Sequence, residues 1–350
     1  MVPVILEMRK RGLEPVLCTT AQHREMLDQM LEGFSLKPDF DLSLMKPGQS
    51  LNGLSSAIFS EIDKVFDKVD PEVVLVQGDT TTANIIAQAA FHRQIKVAHI
   101  EAGLRTYQKY SPFPEEINRQ LISRLANWHF TPTTKATQNL LKEGVHDKTI
   151  LQTGNTVVDA LGLISGKIDQ NELASRLNLN FTKFQKLILV TGHRRENFGE
   201  GMEELFKALL ELARDKKNLI VFPVHLNPEI KLTVEKTLQN ISNIRLLPPV
   251  SYPELIFLLK NCDLVISDSG GIQEEAPTFK KPVLVTRDFT ERAEAVEAGF
   301  SILTGANSEN IINQALKLLG TPPDLENIEN PFGDGKAAKR IVDFLESHAF

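Results

Sequence analysis

The sequence predicts an α/β protein with two Rossmann-like domains that face each other across a cleft. Its length of 350 residues is more than one hydrophobic core usually fills, so two domains are expected. Short, β-branched apolar runs alternate with amphipathic stretches, which is typical of parallel sheets covered by helices on both faces. This alternation begins again after a polar stretch at residues 167–186, which indicates a second domain of the same kind.

The first domain is predicted over residues 1–153. Helices are expected at residues 1–11 and 80–93. Strands are expected at residues 15–20, 73–79, 97–103, 128–131 and 150–153. The apolar runs in these strands are nearly continuous, which indicates a sheet that is buried on both faces.

The second domain is predicted over residues 154–330, and a turn and a last helix are predicted over residues 331–350. Strands are expected at residues 187–193, 219–225, 244–247, 264–267 and 282–286. Ligands bind outside the carboxyl ends of strands in open parallel sheets. The polar residues that follow these strands are therefore the candidates for a site.

Composition excludes several classes of function. The net charge of −6 makes nucleic acid a poor partner. Cys18 and Cys262 fit neither a disulfide framework nor a zinc cluster and are expected to be buried free thiols. No apolar run reaches about 18 residues, and no signal peptide is evident, so we expect no membrane span and a cytoplasmic location. The motifs of NAD enzymes and serine hydrolases are absent, and no metal site is expected.

A glycine-rich turn in the second domain is the candidate phosphate site. Ser269, Gly270 and Gly271 follow a predicted strand and open a helix, where free N–H groups and the helix dipole favour an anion. Glu275, one turn further on, is placed to accept hydrogen bonds from ribose hydroxyls. The alternative is a tight turn in which Ser269 is an ordinary helix N-cap.

Carboxylates collect at the strand ends of the first domain. Asp79 and Glu101 lie in the polar ends of predicted strands, and Glu115 and Glu116 begin a predicted helix. Each has a structural alternative. Asp79 can be a helix N-cap, Glu101 can form an ion pair with Arg105, and the other two can be surface acids that suit the helix dipole.

Cationic and titratable groups follow a strand of the second domain. His193, Arg194 and Arg195 suit a diphosphate, and His225 is a similar but weaker candidate. Carboxylates and a histidine opposite an anion-binding turn suit proton abstraction beside a phosphate leaving group.

Six segments, in chain order, resemble those of the non-hydrolysing UDP-N-acetylglucosamine 2-epimerases. They lie at residues 78–81, 101–106, 112–116, 192–197, 223–228 and 268–275. The resemblance spans the chain and implies a glycosyltransferase-B type of fold, with the last helix crossing back to the first domain. It implies reversible conversion of UDP-N-acetylglucosamine to UDP-N-acetylmannosamine through elimination of UDP to 2-acetamidoglucal and re-addition. It implies no cofactor and a homodimer.

The resemblance also assigns roles to individual residues. The implied catalytic residues are Asp79, Glu101, Glu115 and His193. The residues implied to bind UDP are Ser269, Gly270, Gly271, Glu275 and Arg292. In some family members a second UDP-N-acetylglucosamine binds as an allosteric activator, and the residues implied for that site are Gln22, Arg194 and His225.

The chain departs from the family pattern at its start. Family members begin with a strand and a Gly-Thr-Arg-Pro-Glu turn that lie before Met1 of this sequence. We therefore expect the first sheet to lack an inner strand and the substrate affinity to be lowered. Gln77 also stands where the family often has His.

Three other functions stay open at this stage. A hydrolysing 2-epimerase shares much of the same site and differs in its product, which is free N-acetylmannosamine. A glycosyltransferase of the same fold requires an acceptor and has no obvious use for the three carboxylates. A defective chain binds UDP weakly or only dimerises.

Overall fold

The computed structural model describes residues 1–20, 28, 31–46, 48–179, 183–192, 200–224 and 228–349. The chain divides into two compact units, one of Met1–Ala160 with Phe332–Phe350 and one of Leu161–Pro331. The boundary between the two units lies between Ala160 and Leu161, a little after the boundary predicted at Gly154. Each unit contains a parallel sheet with helices packed on it, so the predicted α/β class with two Rossmann-like domains is confirmed.

The first unit is built around a four-stranded parallel sheet of order β3-β4-β5-β6. Two shorter strands, β1 and β2, pair with each other in parallel. In chain order the elements are α1 (Val2–Lys10), β1 (Cys18–Thr19), β2 (Phe40–Asp41), α2 (Leu51–Val69), β3 (Val73–Gln77), α3 (Thr81–His92), β4 (Lys96–Ile100), α4 (Glu115–Leu125), β5 (Trp128–Thr131), α5 (Thr134–Lys142), β6 (Ile150–Gln152) and α6 (Thr156–Ser165), which continues into the second unit.

The second unit is built around a six-stranded parallel sheet of order β12-β11-β10-β7-β8-β9. Its elements are α7 (Gln170–Arg176), β7 (Lys186–Thr191), α8 (Glu200–Leu212), β8 (Asn218–Pro223), α9 (Pro228–Leu238), β9 (Ile244–Leu247), α10 (Tyr252–Asn261), β10 (Leu264–Ser267), α11 (Gly270–Glu275), β11 (Val283–Val285), α12 (Ala293–Glu297), β12 (Ser301–Leu303) and α13 (Ser308–Gly320), and α14 (Ala337–His348) follows in the first unit.

Apolar side chains cover both faces of each sheet, which is why the strands read as continuous apolar runs. On one face of the first sheet, α1 and α14 pack with Ile341 and Leu345 near Ile100 and Phe130. On the other face, α2 and α3 pack over β3 and β4. The second unit has corresponding clusters on its two faces.

Helix α14 is tied to the first unit by polar contacts as well. Asp159 accepts hydrogen bonds from the backbone nitrogens of Ala337 and Ala338, at 3.2 and 2.9 Å. A carboxylate at a helix N-terminus satisfies donors that have no partner within the helix. The nitrogen of Asn155 also donates to the carbonyl of Phe332 at 2.7 Å.

The strands of the first unit form two separate sheets in the described part of the chain. β1 pairs with β2 and not with β3, although both β1 and β3 line one cavity. This cavity has a volume of about 340 Å³, and its lining is mostly apolar, from α1, β1, α2 and β3. β1 is also shorter than the strand predicted at residues 15–20, and β2 and β12 were not predicted because neither is a run of β-branched apolar residues.

Two predictions from composition can be compared with the structure. Cys18 and Cys262 are both free thiols, but Cys262 alone is buried and Cys18 is half-buried. The expectation of a buried thiol is therefore confirmed at Cys262 and wrong at Cys18. None of the helices in the described ranges is both long enough and apolar enough to cross a membrane.

Candidate active site

Asp79 and Glu101 lie just beyond the carboxyl ends of neighbouring strands. β3 and β4 are paired with Gln77 opposite Ile100, and the nitrogen of Gly78 donates to the carbonyl of Ile100 at 3.0 Å. A Cβ atom placed on Gly78 would lie 3.9 Å from Oε2 of Glu101. The Glu101 carboxylate therefore lies beside the Gly78–Asp79 turn.

Glu101 has a backbone conformation that is uncommon for its residue type. Its φ of 64° lies in the left-handed region, which costs free energy for a residue with a Cβ atom. Such strain persists where the surroundings impose it, and it clusters at functional sites. The Gln77 side chain also donates to Oε2 of Glu101 at 3.4 Å.

The N-cap interpretation of Asp79 is wrong. The N-cap of α3 is Thr80, whose hydroxyl accepts from the nitrogen of Ala83 at 3.2 Å. Thr80 takes the capping role because it directly precedes the first helical residue, Thr81, so its hydroxyl meets the third helical nitrogen. The Asp79 carboxylate instead accepts from Nη2 of Arg119 at 2.6 Å.

Glu115 begins α4, where the helix dipole favours its charge. Its Oε2 atom is buried and has no hydrogen-bond partner among the described residues. Arg119 lies four residues further on and so projects from the same face of the helix. That spacing is a sequence signal for Arg119 as a candidate site residue, and our sequence analysis missed it.

Glu116 is not a surface acid, so the structural alternative is wrong for this residue. It is fully buried and accepts from the nitrogens of Thr106 and Tyr107 at 2.9 and 3.0 Å. The loop before α4 folds back onto the start of the helix, which supplies these donors and removes the carboxylate from solvent.

Arg105 does not pair with Glu101 as the structural alternative had it. Its guanidinium donates to both carboxylate oxygens of Glu143, at 2.7 and 2.9 Å. The turn at Gly103 directs the chain this way. Gly103 has a φ of 90°, and a Cβ atom there would lie 2.3 Å from the carbonyl oxygen of Ala136. Only glycine fits this close approach.

His99, which lies within β4, contacts the Gly78–Asp79 turn. It is fully buried, and its Nε2 lies 2.8 Å from the carbonyl oxygen of Gly78. Burial lowers the pKa of His99 from 6.5 to about 3, so the ring is neutral near pH 7 and Nε2–H donates to the carbonyl.

Hydroxyl groups at the ends of two strands stabilise the glycine-rich turn of the second unit. Ser269 occupies the N-cap position of α11, but its side chain makes no capping hydrogen bond. Its backbone nitrogen donates to Oγ of Ser267 at 3.0 Å, and that hydroxyl lies 2.7 Å from the hydroxyl of Thr191. The N-cap alternative is therefore right about the position of Ser269 and wrong about its side chain, which does not cap the helix.

Arg292 lies directly against this turn. A Cβ atom on Gly270 would lie 3.2 Å from Cζ of Arg292. The guanidinium donates through Nε to Glu274 and pairs through Nη1 with Glu291, both at 2.7 Å. The structure thus brings together Gly270 and Arg292, which the resemblance assigned to one site.

Glu275 is buried at the end of α11, and Tyr252 is its hydrogen-bond partner. The phenol of Tyr252 donates to Oε1 of Glu275 at 2.9 Å. Burial raises the pKa of Glu275 from 4.5 to about 7, the Tyr252 hydrogen bond opposes the rise, and the charge of Glu274 adds to it. No sequence signal pointed to Tyr252, because α10 reads as an ordinary amphipathic helix.

Five of the candidate residues lie outside the described residues, Arg195 among them. The other four belong to the implied catalytic and allosteric sets. They are Gln22, His193, Arg194 and His225. Among the residues that the structure does describe, no three His, Cys, Asp or Glu side chains are grouped closely enough to hold a metal ion.

The fold and these two clusters define an α/β enzyme with Rossmann-like units, in which carboxylates and a glycine-rich turn follow the strands. The family model described as UDP-N-acetylglucosamine 2-epimerase matches residues 6–346. The UDP-N-acetylglucosamine 2-epimerase of Campylobacter jejuni is 46% identical to this chain over 99% of the chain and 93% of the relative.

Solved structures agree with this match. The UDP-GlcNAc 2-epimerase of Neisseria meningitidis bound to UDP-GlcNAc has a TM-score of 0.91 and 45% identity, covering 99% of this chain and 96% of that one. The enzyme of Methanocaldococcus jannaschii in complex with UDP-GlcNAc and UDP has a TM-score of 0.83 and 33% identity, covering 99% and 95%. The chain belongs to the UDP-N-acetylglucosamine 2-epimerase family, which is a family of isomerases. The resemblance is confirmed.

Proposed function

We propose that this protein reversibly converts UDP-N-acetylglucosamine to UDP-N-acetylmannosamine without net hydrolysis. A base removes the C2 proton, the bond from C1 to the UDP oxygen breaks, and 2-acetamidoglucal forms. UDP then adds back to C1 while C2 receives a proton on its opposite face. The family match and the relatives bound to UDP-GlcNAc support the substrate.

The single observation that carries the acid–base proposal is the group of carboxylates around the Gly78–Asp79 turn. Asp79 is held by α4, Glu101 lies beside the same turn, and Glu115 begins α4 with a buried oxygen that makes no hydrogen bond within the described part of the chain. We assign proton transfer to these three residues and to His193. An unpaired buried carboxylate oxygen is costly, which favours a functional role for Glu115.

The turn at Ser269 is our proposed UDP site. The contact between Gly270 and Arg292 and the burial of Glu275 support it, since backbone N–H groups and a guanidinium suit a diphosphate. We assign Ser269, Gly270, Gly271 and Arg292 to the diphosphate and Glu275 to the ribose.

The test is a product assay in D₂O. The protein is incubated with UDP-N-acetylglucosamine and the products are identified by NMR. We expect both nucleotide sugars, with deuterium at C2. Free N-acetylmannosamine and UDP as the main products would contradict the proposal in favour of a hydrolysing enzyme. A sugar nucleotide left unchanged, without deuterium, would contradict it in favour of a transferase or a binding protein.

Three further assignments stay predictions. An allosteric UDP-N-acetylglucosamine site with Gln22, Arg194 and His225 predicts that UDP-N-acetylmannosamine is converted slowly until UDP-N-acetylglucosamine is added. A homodimer is tested by light scattering after size-exclusion chromatography. A cytoplasmic location is tested by cell fractionation.

A further inference from the structure

Helix α4 holds Asp79 at two points. Nη2 of Arg119 donates to Oδ2 of Asp79 at 2.6 Å, and Nδ2 of Asn118 donates to its backbone carbonyl at 2.9 Å. Asn118 in turn accepts from Asn84 on α3 at 2.9 Å. Both the carboxylate and the backbone of Asp79 are therefore fixed relative to α4. Charge-assisted hydrogen bonds of this kind are short and strong.

Arg119 is itself held by a buried acid. Its side chain is 5% exposed, and Nη1 lies 3.5 Å from Oε2 of the fully buried Glu116. Glu116 cannot easily move, because it accepts from two backbone nitrogens and from Nε2 of Gln120 at 2.7 Å. The loop before α4, Glu116, Arg119 and Asp79 thus form one connected series of contacts.

The Arg119 guanidinium has buried N–H donors that lack hydrogen bonds. Its Nε and Nη1 atoms are buried and make no hydrogen bond to any residue that the structure describes. A guanidinium has five N–H donors, and burying them unpaired costs free energy. Buried donors without a hydrogen bond lower the stability rather than raise it. The arrangement instead commits one strong hydrogen bond to one oxygen of Asp79.

We propose that Arg119 is a positioning residue for Asp79. This inference rests on the proposed acid–base role of Asp79. Arg119 donates a hydrogen bond to Oδ2 of Asp79 and orients the carboxylate. Oδ1 is then the oxygen that exchanges a proton with the sugar. Glu116 keeps the guanidinium in place. Arg119 does not touch the substrate and acts through Asp79 alone.

The test is a double-mutant cycle. Arg119→Met is expected to lower kcat by about 10²-fold with KM changed by less than about threefold, because the geometry of proton transfer is lost and binding is kept. Arg119→Lys keeps a donor and a charge and is expected to recover at least about tenfold of that loss. The double variant Asp79→Asn with Arg119→Met should match Asp79→Asn within about threefold, because the two side chains act as a unit.

The control is Arg124→Met, an exposed arginine on the same helix, for which native kcat is expected. Thermal unfolding of each variant shows whether it is folded, and the Lys variant carries the comparison if Met destabilises the chain. Losses that multiply to about 10⁴-fold in the double variant would overturn the positioning role while leaving Asp79 catalytic. Native kcat in Asp79→Asn alone would overturn the assignment of Asp79 and, with it, this inference.

Discussion

The phenol of Tyr252 lies 2.9 Å from Oε1 of Glu275 and donates a hydrogen bond to it on the buried side of the proposed UDP site. Burial raises the pKa of Glu275 to about 7, and this hydrogen bond limits the rise because it stabilises the carboxylate. The ionised carboxylate is the better acceptor for ribose hydroxyls. On the proposed assignment of Glu275 to the ribose, the pair links nucleotide binding to pH.

The first prediction follows from that link. The affinity for UDP-N-acetylglucosamine should rise as the pH increases through about 7, because Glu275 becomes ionised in that range. The ligand's diphosphate is esterified at both ends, so its own charge stays constant. Tyr252→Phe removes the donor and should move the midpoint to higher pH, while Glu275→Gln should abolish the dependence. Isothermal titration calorimetry across this range checks it, and a flat profile in the native chain would refute it.

The second prediction concerns the carboxylates. Asp79→Asn, Glu101→Gln and Glu115→Gln should each lower kcat by about 10²-fold or more, the usual scale for acid–base groups. The measurement is the rate of conversion together with deuterium uptake at C2. Asp67→Asn on the exposed face of α2 is the matched control and should keep native turnover. A variant with near-native turnover is removed from the catalytic set.

The third prediction concerns Gly270. Alanine there places Cβ 3.2 Å from Cζ of Arg292, and the guanidinium has little room to move because Glu274 and Glu291 both hold it. Gly270→Ala should lower the affinity for UDP by about tenfold or more, since overpacking of this kind costs on the order of 1–3 kcal/mol.

The control for this prediction is Gly162→Ala, where no atom lies within 4 Å of the added Cβ. Calorimetric titration with UDP is expected to give native affinity for Gly162→Ala. Native affinity for Gly270→Ala as well would show that the contact between Gly270 and Arg292 has no part in binding.

The fourth prediction concerns acid stability. The pKa of His99 falls from 6.5 in the unfolded chain to about 3 in the fold, so the unfolded chain binds the extra proton between these values. The stability is fully present above 6.5 and is lost as the pH falls, by up to about 1.4 kcal/mol per pH unit from this group.

Urea unfolding at several pH values measures this effect. In His99→Gln the amide can still donate to Gly78, but the titration is gone. The difference in free energy of unfolding between the native chain and His99→Gln should therefore shrink as the pH falls below 6.5. His146→Gln, at an exposed position, is the control. Parallel pH profiles for the native chain and His99→Gln would contradict the prediction.

Much of the fold was predictable because buried parallel strands must be apolar along their whole length. The strands at residues 128–131, 244–247 and 264–267 lie where the sequence predicts them. The short strands β2 and β12 were not predicted, because neither is a run of β-branched apolar residues. Their pairing depends on neighbours that are distant in the chain.

The candidate site was predictable in its residue types and less so in its partnerships. The positions of Asp79, Glu101 and Ser269 after strands follow from the order of elements. Which group each side chain binds does not follow. Asp79 was read as a possible cap, yet Thr80 caps α3 and Arg119 takes the carboxylate. Arg105 was assigned to Glu101 as a possible partner, yet Glu143 holds it.

The sequence by itself determined the parallel α/β class, the repetition of that pattern in two halves, and the carboxylates and glycines that follow the strands. These features are local, since they depend on hydrophobic period and on the order of residues. The tertiary structure alone decided the contacts of Arg119 with Asp79, of Tyr252 with Glu275 and of Arg292 with the Gly270 turn. Each joins residues that are far apart in the chain, and a buried charge takes whichever partner the packing brings within reach.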